Sequence, residues 1–555
     1  MLTRRRSSVA RASSGLAFLV AATALVVAPA SAASRAELWA ERYRPQTDDE
    51  ANQVAVSPDG STVFVTGSSN SSTSRTSDFA TIAYSASTGA SQWVRRYDGP
   101  AHSNDYGNAI AVSPDGSEVF VTGTSYGAST RYDDATIAYD AATGATLWVR
   151  RYDGPVHAGE AAKALAVAPD GSEVFVTGFS ESSPSYPYDA DVATIAYDAR
   201  TGATSWVRRY NGPGGSDDVG TAVAVAPDGS KVFVAADSVG TTTFGDYATI
   251  AYDAHTGATR WVRRYAGPNG LDSPSAIAVG PGGGQVFVTG SSVGPSMSAY
   301  DYVTISYDAS TGATKWFERL SLPNNDNAYS LAVAPDGSKV FVSGSSGGTT
   351  CCLTDYGTVA YDAASGALVW FHRYDGPAGW DDVGRSVAVA PDSSRVVVTG
   401  YSSNGNGADD DIATIAYATS TGTVEWTERY GGPAGGRDRG YSVAVAPDGA
   451  LTFVLGESGN GSDRDFVTIA GVSERSRHRL CGFPSPPDAP GVDTVDWRRT
   501  CPLARLGALR PPPGRSGRFR GSSIGRTGAI PKCSGDRPCR DCRASRSHGS
   551  AKQRG

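Results

Sequence analysis

Residues 108–152 carry the pattern NAIAVSPDGSEVFVTGTSYGASTRYDDATIAYDAATGATLWVRRY. Copies of its first half, A-V-[SA]-P-D-G-S-x-V-F-V-T-G, place a proline at positions 58, 114, 169, 227, 281, 335, 391 and 447. Copies of its second half, T-I-A-Y-D-A-x-T-G-A-x-x-W-V-R-R-Y, place a tryptophan at positions 39, 93, 148, 206, 261, 316, 370 and 426. Successive prolines are 54 to 58 residues apart, too long a period for ankyrin or tetratricopeptide repeats. The chain is therefore built mainly from one repeat.

One copy of the repeat predicts four β-strands. Asn108–Val112 (strand A) and Glu118–Thr122 (strand B) flank the turn Ser113–Gly116, where proline and glycine suit the backbone angles of a tight turn. Ala135–Asp140 (strand C) and Thr146–Tyr152 (strand D) are rich in β-branched and aromatic side chains. Four strands in each period predict a β-propeller, in which every repeat forms one blade.

The two ends of the repeat region complement each other. Eight A-B-C units are present, but the last one, from Tyr441 to Ala470, has no tryptophan strand after it. The unpaired tryptophan strand is Leu38–Tyr43, which precedes the first strand A. We therefore expect the N-terminal strand to complete the last blade and to close the ring. The prediction is an all-β, eight-bladed propeller over residues 36–472, with four antiparallel strands in each blade.

Strand D carries a pair of arginines before its last residue in four of the eight repeats, for example Arg150 and Arg151. The outermost strand of a blade exposes unpaired backbone groups, and charged side chains on such a strand prevent it from pairing with other chains. We therefore interpret the arginine pairs as edge protection rather than as a binding patch.

Residues 1–32 have the three features of a secretory signal peptide. Arg4, Arg5 and Arg6 form a charged segment, Leu16–Ala28 is an apolar stretch too short to span a membrane, and Ala30–Ala32 matches a small-residue cleavage site. The consecutive arginines also fit a twin-arginine signal. The prediction is an exported, extracellular protein, secreted by either route.

Charge is distributed unevenly along the chain. The formal net charge is −7, but residues 33–474 hold 27 basic and 51 acidic residues, whereas residues 475–555 hold 18 basic and 5 acidic ones. The acidic repeat region argues against nucleic acid as a partner, and it either attracts cations and basic partners or serves solubility alone. Residues 473–555 lack the repeat, which predicts a basic disordered tail; a change of reading frame would explain the break equally well.

The motif A-x-D-x-x-T-G-x-x-x-W at residues 138–148 resembles the tryptophan-docking motif of pyrroloquinoline-quinone (PQQ) dehydrogenases, and it recurs at 196–206 and 251–261. The proline-containing half of the repeat resembles the β-propeller repeats of secreted bacterial proteins. The resemblance implies an eight-bladed propeller and, for the dehydrogenases of the family, a quinone cofactor with Ca²⁺. Because the docking motif is structural, the resemblance does not by itself carry an activity.

The motifs of common catalytic sites are missing from the sequence. None of the four histidines in the repeat region, at positions 102, 157, 255 and 372, lies in an H-E-x-x-H motif. No serine lies in a G-x-S-x-G elbow, and no glycine-rich phosphate loop is present. The sequence therefore does not favour catalysis by a serine, histidine and aspartate.

Two sets of carboxylates recur in every repeat. One set precedes strand A: Asp49, Asp105, Glu160, Asp217/Asp218, Asp272, Asp326, Asp381/Asp382 and Asp438. The other precedes strand C: Asp78, Asp134, Asp191, Asp246, Asp301, Asp355, Asp411 and Asp465. Both sets are expected at the same end of the blades, where clustered oxygen ligands suit Ca²⁺. Their presence in every repeat favours the alternative that each one accepts backbone hydrogen bonds in its own loop.

Cys351 and Cys352 are the only cysteines of the repeat region, and they lie in the B–C loop of the sixth repeat. In an exported protein we expect them to oxidise to a disulfide with each other. Such a bridge would be strained, because adjacent Cα atoms lie about 3.8 Å apart or less and an ordinary disulfide needs more. The resemblance points the same way, since PQQ alcohol dehydrogenases carry a disulfide of adjacent cysteines against the cofactor plane.

Other residues that break the symmetry lie near these cysteines. Trp380, in the next D–A loop, is the one tryptophan of the repeat region outside the repeat pattern. Together with the cysteine pair it forms the predicted cofactor-binding set. Asp355, Asp381 and Asp382 are the predicted Ca²⁺ ligands at the same end of the blades.

The sequence leads to two functional hypotheses. The first is an exported propeller that acts as a non-catalytic binding or scaffolding module, for a protein or small-molecule partner held at one end of the propeller. The alternative is a PQQ- and Ca²⁺-dependent dehydrogenase of the periplasm or cell exterior. The short and nearly identical repeats favour the first hypothesis, because the dehydrogenases carry long insertions and dedicated quinone-binding residues.

Overall fold

The computed structural model describes residues 36–44, 49–70, 76–183, 189–295, 299–322, 324–348, 353–405, 409–433, 435–460 and 463–472. Within these ranges every regular element is a β-strand. The predicted signal peptide, the basic tail and the pair Cys351–Cys352 lie outside them. The all-β prediction is therefore confirmed for the described part of the chain.

Strand β1 (Ala36–Tyr43) precedes six antiparallel four-stranded sheets. Sheet 1 contains β2 (Glu50–Val56), β3 (Thr62–Asn70), β4 (Ser77–Ser85) and β5 (Ser91–Tyr97), and sheet 2 contains β6 (Asp105–Val112), β7 (Glu118–Tyr126), β8 (Tyr132–Asp140) and β9 (Thr146–Tyr152). Sheet 3 contains β10 (Glu160–Val167), β11 (Glu173–Glu181), β12 (Ala190–Asp198) and β13 (Thr204–Tyr210), and sheet 4 contains β14 (Asp218–Val225), β15 (Lys231–Ser238), β16 (Asp246–Asp253) and β17 (Thr259–Tyr265). Sheet 5 contains β18 (Asp272–Val279), β19 (Gln285–Val293), β20 (Tyr300–Asp308) and β21 (Thr314–Leu320), and sheet 6 contains β22 (Asn327–Val333), β23 (Lys339–Gly347), β24 (Thr354–Asp362) and β25 (Leu368–Tyr374).

The remaining strands form one eight-stranded sheet with two halves. Half 7 contains β26 (Asp382–Val389), β27 (Arg395–Ser403), β28 (Asp410–Ala418) and β29 (Val424–Tyr430). Half 8 contains β30 (Arg437–Val445), β31 (Leu451–Asn460), β32 (Asp463–Val472) and β1. The described strands thus form seven sheets rather than the predicted eight. The cause is one parallel pairing, Asp410 with Arg437, beside a 2.6 Å ion pair between Asp410 and Arg439 that draws the two halves together.

Strand β1 lies antiparallel to β32, from the pair of Ala36 with Val472 to the pair of Tyr43 with Phe466. Trp39 of this strand is buried, and its indole N–H donates to the Ala86 carbonyl at 2.9 Å. Its ring packs against side chains from two places in the chain, among them Tyr84 of sheet 1 and Phe453 of β31. The N-terminal strand therefore connects half 8 with sheet 1.

The hydrophobic core lies between successive sheets, and the repeat tryptophans mark it. Trp148 of sheet 2, for example, donates its indole N–H to the Ala199 carbonyl of sheet 3 at 2.7 Å. Gly202, which has a φ of 67°, lies flat against the same ring, where a Cβ would come within 2.6 Å of the ring atoms. In the motif T-G-x-x-x-W, the glycine thus packs against the tryptophan of the preceding sheet. The tryptophan of the same motif packs against the following sheet. Truncating one such tryptophan to alanine is expected to cost about 3–5 kcal/mol.

The first arginine of each intact pair also bridges sheets. Arg150 donates from Nε to the Gly202 carbonyl at 2.7 Å and from Nη2 to the Thr201 carbonyl at 2.7 Å, and its guanidinium lies 5.9 Å from the centre of the Trp148 ring. Arg95, Arg208 and Arg263 make the same contacts in their own repeats. The interpretation of the arginine pairs as edge protection is thus incomplete, because these side chains hold neighbouring sheets together.

Candidate functional site

The B–C loops and the D–A loops lie at the same end of the sheets, here called the loop face. Several D–A loops contact the B–C loops on both of their sides. Between sheets 1 and 2, the Asn104 side-chain carbonyl accepts a hydrogen bond from the Ser77 N–H at 3.1 Å, and the Asn104 backbone carbonyl accepts one from the Tyr126 N–H at 3.2 Å. The loop face is therefore a continuous row of contacts across the junctions between sheets.

Every junction contains an ion pair between strand D and strand C. The arginine next to the last residue of each strand D reaches the aspartate at the start of strand C in the same sheet. The pairs are Arg42–Asp465 (2.6 Å), Arg96–Asp78 (2.9 Å), Arg151–Asp133 (2.6 Å), Arg209–Asp191 (3.0 Å), Arg264–Asp246 (2.6 Å), Arg319–Asp301 (2.7 Å), Arg373–Asp355 (3.6 Å) and Arg429–Asp411 (2.9 Å). These repeated pairs explain why the strand-C carboxylates occur in every repeat.

The acid that begins strand A has a different role. Its carboxylate is buried and accepts a hydrogen bond from a glycine N–H in the preceding D–A loop, for instance Asp105 from Gly99 and Asp382 from Gly376, both at 2.7 Å. Asp218, Asp272 and Asp438 make the same bond to Gly212, Gly267 and Gly432. The prediction that this set satisfies backbone groups of its own loop is confirmed for these residues.

One assignment within the strand-C set is wrong. Asp133, not Asp134, forms the ion pair with Arg151, because adjacent residues of a strand point to opposite faces of the sheet. Asp134 is instead fully buried at a position that other repeats fill with large apolar side chains: Phe79, Val192, Tyr247, Tyr302, Tyr356, Ile412 and Phe466. Burial, together with the nearby carboxylates of Glu160 and Asp133, raises the pKa of Asp134 well above its ordinary value.

Besides the strand-C aspartate and the acid that begins strand A, one more position determines the charge of each junction. The residue that follows the last residue of strand D, here called the junction position, is Arg44, Asp98, Asp153, Asn211, Ala266, Ser321, Asp375 or Gly431. Three groups of acids close enough to hold a metal ion occur among the described residues, and each contains one of the three aspartates at this position: Asp78/Asp98/Asp105, Asp133/Asp153/Glu160 and Asp355/Asp375/Asp382. The Y-D-G-P motif marks these three junctions in the sequence, and the sequence analysis overlooked it.

In the junction between sheet 6 and half 7, the structure brings together two of the three predicted metal ligands. Asp355 and Asp382 each place an oxygen within 4.8 Å of Asp375, a residue that the sequence analysis missed. The third predicted ligand, Asp381, instead accepts hydrogen bonds from the N–H and the hydroxyl of Thr354, at 3.0 and 3.2 Å. Asp381 thus has the bridging role that Asn104 has between sheets 1 and 2.

The predicted cofactor set near this junction is only partly described. Cys351 and Cys352 lie outside the described residues, so their disulfide stays a prediction. Trp380 is 44% exposed on the loop face. Burial raises the pKa of Asp355 and of Asp382 to about 6 each, and the neighbouring Asp375 carboxylate contributes in both cases.

The junction between sheets 2 and 3 also holds a group of three acids. Asp133 of β8 and Glu160 of β10 are buried, and Asp153 in the D–A loop is half-buried. The imidazole of the exposed His157 lies 2.5 Å from the Asp153 carboxylate, which raises the pKa of His157. Burial raises the pKa of Glu160 to about 7.

Comparison with known proteins assigns the repeats. Residues 138–370 match a PQQ-like repeat family model, whose description is outer membrane protein assembly factor BamB. The matched segment therefore resembles PQQ-like β-propeller repeats, as the tryptophan motif predicted. A search of curated proteins gives no significant match.

Solved structures share the fold at low sequence identity. Sqt1 from Chaetomium thermophilum is 13% identical, with a TM-score of 0.52, over 78% of this chain and 98% of that one. BamB from Moraxella catarrhalis is 16% identical over 79% and 99% of the two chains, with a TM-score of 0.44. Quinohemoprotein alcohol dehydrogenase from Comamonas testosteroni is 11% identical over 83% and 79%, with a TM-score of 0.48. At 13% identity the likeness to Sqt1 extends to the fold alone.

In the part of the chain that the structure describes, no helix is long and apolar enough to cross a membrane.

Proposed function

We propose that this chain is an exported, eight-bladed β-propeller that acts as a non-catalytic binding module and holds a partner on its loop face. The observation that carries the proposal is a group of exposed apolar side chains on that face. Phe244, in the B–C loop of sheet 4, is 79% exposed. Large aromatic side chains contribute most to binding when a partner buries them, and they cost solubility when nothing does.

The apolar group extends across the junction between sheets 4 and 5. The Phe244 N–H donates to the Gly270 carbonyl at 2.8 Å, which joins this loop to the D–A loop that contains exposed Leu271. The Leu271 carbonyl in turn accepts a hydrogen bond from Val293, at the start of the loop that leads to exposed Tyr300. Backbone hydrogen bonds thus hold three apolar side chains in one continuous segment of the face, as a preformed binding surface requires.

The way half 8 is completed supports the proposal of eight blades in a closed ring. Its three C-terminal strands lack the tryptophan strand that ends every other unit, and β1 supplies it. Trp39 then occupies the place between half 8 and sheet 1 that the other repeat tryptophans occupy between their own sheets. Closure by the N-terminus removes the terminal interfaces that an open array would expose.

A binding role accounts for the chemistry of the loop face. The arginine of each junction is paired with an aspartate, so these cations already have partners within their own sheet. The acidic repeat region favours a basic partner, and the apolar group supplies the contact area. Sqt1, a protein of similar fold, has been solved bound to the N-terminus of ribosomal protein L10. We therefore place a basic protein segment with apolar anchors on this face.

Capture from the extracellular medium tests the proposal. Immobilised wild-type protein should retain a partner that the double variant Phe244→Ser/Leu271→Ser does not retain. The matched control is Leu368→Ser, which removes an exposed apolar side chain at the opposite end of sheet 6. Equal retention by wild type, double variant and control would contradict the proposed surface.

The same preparation separates this function from the quinone-dependent alternative. After incubation with PQQ and Ca²⁺ followed by desalting, a binding module should show no quinone absorbance band. A retained band together with dye-linked alcohol oxidation would replace the proposal with the dehydrogenase.

A further inference from the structure

We propose that the junction between sheets 2 and 3 binds a Ca²⁺ ion between the carboxylates of Asp133, Asp153 and Glu160. The three ligands come from three different elements, which are β8, the D–A loop and β10. The ion would therefore connect two sheets through the loop between them. This inference does not depend on which partner the loop face holds.

The spacing of the carboxylates suits Ca²⁺. Each of the three residues places one oxygen within 4.8 Å of the others. Ca²⁺ binds oxygen at about 2.3–2.6 Å, so two ligands on opposite sides of one ion lie up to about 5 Å apart. Oxygen-only ligands favour Ca²⁺ or Mg²⁺ over transition metals, and Ca²⁺ accepts an irregular arrangement of carboxylates more readily than Mg²⁺, which demands near-ideal octahedral geometry.

Buried oxygens without partners provide an independent observation. Arg151 binds Oδ2 of Asp133, and His157 binds Oδ2 of Asp153, whereas Oε1 of Glu160 accepts from a serine hydroxyl. The second oxygen of each carboxylate, which is Oδ1, Oδ1 and Oε2 respectively, is buried and has no hydrogen-bond partner. Asp133 and Glu160 are themselves more than nine-tenths buried. Buried charged oxygens without partners are costly, and a bound cation removes that cost.

The charges of this junction are also unbalanced. Three carboxylates face the guanidinium of Arg151 and the exposed imidazole of His157, and Asp134 adds a fourth carboxylate that is fully buried nearby. At the junction between half 8 and sheet 1, the junction position is Arg44 instead, and its guanidinium lies 2.6 Å from the Asp465 carboxylate. A side-chain cation thus takes the equivalent place where the third acid is missing.

The two other three-acid junctions have fewer oxygens available. Between sheets 1 and 2, the buried oxygens without partners belong to Asp78 and Asp105. Between sheet 6 and half 7, only Asp382 of the three described acids has one. The junction between sheets 2 and 3 is therefore the one that carries the proposal.

Calorimetric titration of the full chain with CaCl₂, after EDTA treatment and buffer exchange, tests the site. The decisive variant is Asp153→Asn, which should bind one equivalent of Ca²⁺ fewer than wild type. The substitution is conservative for folding, because asparagine stands at the same junction position between sheets 3 and 4, as Asn211. Circular dichroism should show the wild-type spectrum.

The reverse substitution, Asn211→Asp, provides a matched gain of function. Asp191 and Asp218 flank Asn211, and each has a buried Oδ1 without a hydrogen-bond partner. A third carboxylate should therefore create a second junction of the same kind and add one equivalent of Ca²⁺. Wild-type stoichiometry in folded Asp153→Asn, or no Ca²⁺ binding by the wild type at millimolar concentration, would overturn the proposal.

Discussion

Two junctions between sheets of this propeller occupy equivalent places in the repeat and differ in the charge of their side chains. Between sheets 2 and 3, the junction position is Asp153, beside Asp133 and Glu160. Between half 8 and sheet 1, it is Arg44, beside Asp465 and Asp49. Counting the strand-D arginine of each junction, the first has three acids and one guanidinium, and the second has two acids and two guanidinium groups.

The difference shows how one residue changes the role of a repeated structure. Where the position is arginine, the junction balances its own charge, as a structural joint requires. Where it is aspartate, the carboxylates outnumber the guanidinium groups in a partly buried place, and this excess of acids favours a cation from solution. Where it is asparagine, alanine, serine or glycine, the net charge of the junction lies between the charges of these two kinds of junction. Function in a repeat protein is therefore to be sought in the variable position rather than in the repeated ones.

The largest expected effect on stability comes from removing β1, the strand at the junction between half 8 and sheet 1. Deleting residues 36–43 should lower the free energy of unfolding by about 3–5 kcal/mol or more, because Trp39 leaves the core and Asp465 loses Arg42. Urea unfolding followed by tryptophan fluorescence measures the change. A chain that lacks only residues 33–35 is the control, and equal midpoints for the two deletions would refute the role of β1.

A smaller effect is expected from exchanging the junction residues. Arg44→Asp should destabilise the protein by about 1–2 kcal/mol in EDTA, because it replaces a half-exposed ion pair with a third carboxylate. Asp153→Arg should change stability in the opposite direction, because it offsets the excess negative charge between sheets 2 and 3. Urea midpoints in EDTA measure both, and destabilisation of the same size in both variants would show that charge balance is not the cause.

The smallest effect concerns the pH dependence of stability. The pKa of Glu160 is raised to about 7 in the folded protein, above its ordinary value of 4.5. Between these values the folded state binds more protons than the unfolded state, so the stability contributed by protonated Glu160 is lost as the pH rises. Glu160→Gln should therefore flatten the stability profile between pH 5 and 7, by about 1 kcal/mol over the range.

The measurement for this prediction is the urea midpoint at several pH values in EDTA. Asp133, Asp153 and Arg151 face the same junction and remain in the variant. An unchanged slope in Glu160→Gln would assign the pH dependence to other buried acids, such as Glu457, whose pKa burial also raises to about 7.

Much of the fold was predictable because the same pattern of strands and turns occurs eight times in the sequence. The strand boundaries of the second repeat agree at the turn ends, while β6, β7 and β8 extend further into the loop face than predicted. Those extensions pair with one another within the sheet, as Asp105 with Ser125 and Tyr126 with Tyr132. The Ser- and Gly-rich segments between the predicted strands did not indicate how far this pairing continues.

The candidate sites were predictable only in part. Asp355 and Asp382 lie in one cluster with Asp375, which was missed from the sequence, whereas Asp381 accepts hydrogen bonds from Thr354. The two aspartates of an adjacent pair, such as Asp133 and Asp134 or Asp381 and Asp382, cannot be distinguished by residue type. Which member of each pair reaches the junction depends on strand register, because successive side chains point to opposite faces.

The sequence by itself determined the repeat, the four strands of each unit, the tryptophans that join neighbouring sheets, and the strand that the last unit lacks. These features are local or periodic, so they appear in the order of residues along the chain. The tertiary structure alone decided which carboxylates meet, which of their oxygens keep a partner, and how Asp410 and Arg437 merge two units into one sheet. Such outcomes depend on distances between elements that only packing sets, since a charge acts on what lies beside it in space and not along the chain.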